Sequence, residues 1–101
     1  MENFVIDVSN ATKRSTIHDI LTENLPFPEY YGRNLDALYD CLSTIFIGKE
    51  AEVLLVGFSK LPEDIFKYGQ KIIKIFKLTA SELSDSDNSK LIVREFDALI
   101  E

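Results

Sequence analysis

Two hydrophobic periods alternate along the chain, and the changes between them mark its elements. Phe4, Val5, Ile6 and Val8 form a β-rich run between polar residues, which predicts a first strand over residues 4–8. Residues 9–13 are a polar connection. Ile17, Ile20, Leu21 and Leu25 then share one helical face, with Ser15 or Thr16 available as N-cap. Pro26 and Pro28 stop that helix. Leu35, Leu38, Cys41, Leu42 and Ile45 return at helical spacing and predict a second helix, capped by Asn34 and left at Gly48.

Residues 51–57 are the most continuously apolar stretch. A strand without alternation is buried on both faces or lies centrally in a parallel sheet. Residues 59–67 read as a short helix with Pro62 in its first turn. Gly69 marks a kink or break before a further helix over residues 70–83. That helix places Ile72, Ile73, Phe76, Ala80 and Leu83 inward. Lys67, Lys71, Lys74 and Lys77 point outward as a solvated basic strip. Residues 90–96 form a last strand, which residues 97–101 extend or leave.

Strand, helix, helix, strand, helix, helix, strand is an order that requires helical crossovers, and therefore parallel, right-handed pairing. The most apolar strand, the second, belongs in the middle. The expected fold is α/β in two layers: a three-stranded parallel sheet in order 1-2-3 packed with helices. A chain of 101 residues without repeats, linkers or low-complexity segments suits one domain, residues 1–101.

Charge and composition narrow the functions. Seventeen acids against 11 bases give a formal charge of -6, which disfavours nucleic acid and anionic membranes and favours a basic partner. The opening Met1-Glu2-Asn3 lacks a basic and apolar leader, and no apolar run reaches spanning length. A cytoplasmic location and no membrane partner are expected. Cys41 is the one cysteine and lies on the buried stripe, so it reads as a small core residue in a reducing compartment. His18 lies apart from other ligand-type residues and reads as structural or merely exposed. No nucleophile elbow, phosphate loop or Cys/His cluster is present, so neither an enzyme nor a cofactor is expected. The Asp-x-Asp pattern in residues 84–89 lacks the glycine and distal glutamate of a calcium loop.

Residues 27–42 organise the chain. Pro28 biases Phe27 away from helix, Gly32 supplies a positive φ for a sharp turn, and Asn34 opens the helix. Beside the apolar stripe runs a second one: Asp36, Tyr39, Asp40 and Ser43, at i, i+3, i+4 and i+7. Asp36 suits the positive end of the helix dipole, whereas Asp40 lies too far along to gain from it. Like charges one turn apart cost about 0.2–0.5 kcal/mol, so folding does not account for the pair. Two acids flanking an aromatic beside a Tyr-Tyr-Gly loop look like a contact surface for a cation.

The run Pro28-Glu29-Tyr30-Tyr31-Gly32, then Asn34-Leu35-Asp36-Ala37-Leu38, then Tyr39-Asp40-Cys41-Leu42, resembles the barstar family of intracellular ribonuclease inhibitors. The resemblance implies the same three-stranded sheet, and a loop and helix that plug a nuclease active site. It implies a contact surface of Tyr30, Tyr31, Gly32, Asn34, Leu35, Asp36, Ala37, Tyr39, Asp40, Ser43 and Thr44, with Glu82 from the long late helix. In that role Asp40 occupies the position of the scissile phosphate and Asp36 meets a second basic group at the mouth. Tyr30 and Tyr31 supply rigid apolar area with polar tips, or pack the loop on the core. The expected partner is one cognate secreted or delivered ribonuclease toxin, bound 1:1 by a chain that is monomeric when free.

The match has departures. Arg33 stands where the family has an acid, Tyr39 and Ile45 where it has tryptophans, and Leu78 where it has an acid at the rim. A surface with Arg33 and without two of the family's acids is expected to bind barnase itself less well. Two other classes fit the acidic stripe: a regulatory module for a basic non-nuclease protein, and a magnesium-assisted hydrolase using Asp36 and Asp40. The second has no third ligand in view.

Overall fold

The computed structural model describes residues 1–84 and 88–98. Three strands, β1 (Glu2–Asp7), β2 (Glu50–Val56) and β3 (Lys90–Phe96), form one parallel sheet in the order β1-β2-β3. The registers pair Ile6 with Leu55 and Val53 with Val93. β2 is central, as its apolar run requires. Its faces differ, however: Ala51, Val53 and Leu55 are buried, while on the opposite face Glu52 and Leu54 are only half-buried and Val56 at the strand's end is buried. Centrality, not cover on both faces, explains the missing alternation.

The helices are α1 (Arg14–Asn24), α2 (Leu35–Ile45) and α3 (Glu63–Ser84). α1 packs on β1, α3 packs on β3, and α2 packs on α3. Ile17 and Leu21 of α1, Leu38 and Leu42 of α2, and Ile72 and Phe76 of α3 meet Ile6, Val53 and Leu55 of the sheet in one core. Leu35, Cys41 and Ile45 complete the apolar side of α2, half-buried against that core. Burial and the nearby Asp40 charge raise the Cys41 thiol's pKa, as suits a packing residue.

Three local expectations are corrected. α1 starts at Arg14 with Lys13 in the cap position and no side-chain cap bond, because Ser15 and Thr16 already lie in its first turn. The predicted helix over residues 59–67 is divided: Phe58–Lys60 is a 3-10 turn, residues 63–67 open α3, and α3 runs unbroken through Gly69. Gly69 is a close-approach residue: a Cβ there would lie 2.4 Å from Leu61 Cδ1. Its bare face lets the segment carrying Phe58 and Leu61 seat on α3. Finally, Gly32 does not take the positive φ of the organising loop. Arg33 does, at φ 54.

Other details follow the pattern. Leu25 ends α1 in an extended conformation before Pro26 and Pro28. Glu63 and Asp64 in the first turn of α3 suit its positive end. Lys67, Lys71, Lys74 and Lys77 are exposed, and Lys77 pairs with Glu95 of β3 at 2.5 Å. Gly57, at φ 82, turns the chain after β2 where a Cβ would strike Ser9. The calcium-like pattern of residues 84–89 falls largely on residues 85–87, outside the described residues, as do residues 99–101 of the tail.

Candidate functional site

The loop between α1 and α2 is fixed from beneath. The Tyr31 amide donates to the Pro28 carbonyl at 3.0 Å, closing a turn. The Tyr31 ring enters the core with its centroid 4.6 Å from that of Phe27. Its hydroxyl lies 2.7 Å from His18 Nδ1, and His18 Nε2 lies 2.6 Å from the Tyr68 hydroxyl. A neutral imidazole has one donor and one acceptor nitrogen, so one phenol donates to the ring and the other accepts from it. This triad ties α1, the loop and α3 together. Burial raises the pKa of both phenols and lowers that of His18, which the Arg33 charge lowers further against the opposing effect of Asp19.

The next residues leave the core. Arg33, in the left-handed conformation, donates through Nη2 to the Ser15 carbonyl at 2.9 Å and to the Asp19 carboxylate at 2.5 Å. Those contacts hold an otherwise unfavourable backbone. Asn34 then caps α2 as expected: its Oδ1 accepts from the Ala37 amide at 2.8 Å. A Cβ on Gly32 would lie 3.2 Å from the Ala37 Cβ, so a bare residue lets the loop fold over the first turn.

On α2 the polar stripe faces outward. Asp36 and Asp40 are exposed, and neither forms an ion pair among the described residues. Tyr39 between them donates its hydroxyl to Glu82 of α3 at 2.5 Å, and that carboxylate raises the phenol's pKa. Ser43 Oγ donates to the Tyr39 carbonyl and Thr44 Oγ1 to the Asp40 carbonyl, each at 2.9 Å. The hydroxyls of the second half of the helix are thus turned back onto the backbone.

The expected contact residues therefore divide. Tyr30, 87% exposed, stands clear of the surface, and Gly32, Asn34, Asp36, Asp40 and Thr44 are exposed with it. Tyr39 reaches Glu82, so the two helices share one acidic ridge. Leu35, Ala37 and Ser43 are half-buried on its flank. Tyr31, only 6% exposed, is a core residue that supports the loop. An open groove of about 520 Å³ beside Asp36 is lined by Arg14, Arg33, Asn34, Leu35 and Tyr68. Nothing in the sequence singles out Arg14 or Tyr68, since their approach depends on how α1 and α3 meet the loop.

Among the described residues no group of three or more His, Cys, Asp or Glu side chains is placed to hold a metal, so the two aspartates gain no further ligand from the fold. No helix among them is long and apolar enough to cross a membrane. The chain matches the family described as Barstar (barnase inhibitor) over residues 1–95. The chain belongs to the barstar family. The barstar family is one of inhibitors rather than enzymes. The chain is also similar to the protein described as "Putative ribonuclease inhibitor YrdF" from Bacillus subtilis (strain 168). The two are 33% identical over 85 residues, which cover 84% of this chain and 92% of that protein. A barstar match running from β1 into β3 agrees with the observed sheet.

Proposed function

We propose that this chain is an immunity protein that blocks a secreted or delivered ribonuclease toxin by laying the acidic ridge of α2 in its active site. The observation that carries this reading is the exposed pair Asp36 and Asp40, one turn apart and free of any ion pair among the described residues. An active site that binds RNA must present cations to phosphate. A carboxylate on a rigid helix accepts several charge-assisted bonds from such cations with little ordering cost.

In this arrangement Asp40 takes the phosphate position and Asp36 meets a basic group at the cleft mouth. Tyr30 stacks at the edge of the cleft. Tyr39 and Glu82 extend the ridge onto α3, and Gly32 and Asn34 let the loop backbone approach. Leu35, Ala37, Ser43 and Thr44 flank the contact, while Tyr31 acts from below by holding the loop. The complex is 1:1 and forms in the cytoplasm, where a toxin would otherwise reach the cell's RNA.

The test is RNA cleavage by a panel of small secreted bacterial ribonucleases, barnase among them, titrated with the chain. Loss of cleavage at one equivalent is expected for at least one nuclease, with barnase less tightly held. Full cleavage by every member in excess inhibitor would contradict the reading and favour a regulatory module for a different basic protein.

A further inference from the structure

The groove at the start of α2 brings two cations up against one carboxylate of the ridge. Arg14 and Arg33 both line it, with Asn34, Leu35, Tyr68 and Asp36 itself. The Arg14 guanidinium carbon lies 4.3 Å from the Tyr68 ring centroid. Cation–π contact restrains the Arg14 group and leaves the N–H donors around its edge for an acceptor. Among the described residues Arg14 forms no ion pair. Arg33 is anchored through Nη2 alone, to Asp19 and the Ser15 carbonyl, and retains Nε and Nη1 as donors. Two guanidinium groups with unused donors thus border one open groove, immediately beside the carboxylate of Asp36.

We propose that this groove is a second docking point, which receives an aspartate or glutamate side chain of the ribonuclease against Arg14 and Arg33. This rests on the ribonuclease-inhibitor reading given above and specifies the partner further. A partner that is uniformly basic over the contact would be repelled here. One that carries a carboxylate beside the cations met by Asp36 would satisfy both signs at once. Arg14 then selects among ribonucleases, since like charges opposed across an interface are strongly disfavoured. The net charge of -6 argues against an RNA phosphate as the natural occupant.

The experiment takes the panel ribonuclease that the chain inhibits most tightly and measures its Kd with wild type, Arg14→Ala and Arg14→Glu. Arg14 is exposed at the start of α1, so neither change threatens the core. Binding should weaken about tenfold in Arg14→Ala and further in Arg14→Glu. One Asp→Ala or Glu→Ala change on the nuclease should be non-additive with Arg14→Ala. Wild-type affinity in both Arg14 variants would overturn the docking point while leaving the inhibitor reading intact. Failure of wild type to inhibit any nuclease would remove both. A fluorescent RNA oligonucleotide, bound by the chain alone and released by Arg14→Ala, would assign the groove to nucleic acid and overturn the proposal.

Discussion

His18 lies between two phenol hydroxyls and almost out of contact with water, 2% exposed. Protonation would make both ring nitrogens donors and bring a charge into the core, which burial opposes. Its pKa is accordingly lowered from the ordinary 6.5 in the folded chain. Below about pH 6.5 the unfolded chain takes up a proton that the folded chain still refuses, so acidification favours unfolding. Stability should fall from about pH 6.5 downward and level off below the folded-state pKa. Urea midpoints between pH 7.5 and 5 check this, in a range above the usual carboxylate titrations. At fixed neutral pH, Tyr31→Phe should cost about 1–3 kcal/mol, because a buried ring nitrogen loses its partner. A histidine standing apart from other ligand types was readable as structural. The two tyrosines that satisfy it were not, since Tyr68 approaches it only when α3 packs beside the loop.

At the scale of elements, α2 and α3 show what periodicity reveals and what it hides. The apolar stripe from Leu35 to Ile45 and the Asn34 cap are local properties, and both were legible. Asn34→Ala should lower stability by about 1 kcal/mol through the lost cap, measurable by urea denaturation. Gly69 misleads a local reading. Glycine weakens a helix by about 1 kcal/mol relative to alanine, so it suggests a break. Its reason is tertiary: Leu61 occupies the space a Cβ would need. Gly69→Ala should therefore destabilise the fold by about 1–3 kcal/mol despite the better helix former. The same denaturation experiment decides between the two signs. Arg33 shows a related limit. Glycine is the usual occupant of positive φ, yet here contacts with Asp19 and Ser15 hold an arginine there, with Gly32 needed for clearance against Ala37.

At the scale of the whole molecule, the order of strands and the central place of β2 followed from the pattern of apolar runs alone. The acidic ridge was also legible, because Asp40 had no reason in the folding of its own helix. The groove was not, since it forms only where α1, α3 and the loop converge. A chain of charge -6 approaching a basic cleft gains long-range attraction that salt removes. Association with an inhibited ribonuclease should slow by about tenfold or more between low and high ionic strength, while dissociation changes little. Stopped-flow measurements over a salt series read both rates.

The claim beneath all of this is that Asp40 is displayed for a cation on another molecule rather than for its own fold. Titration calorimetry of the most tightly inhibited ribonuclease, with wild type and Asp40→Ala, measures it most directly. The predicted result is binding weakened by about 2–5 kcal/mol, with the free variant as stable as wild type. Equal affinity of the two proteins would contradict the account.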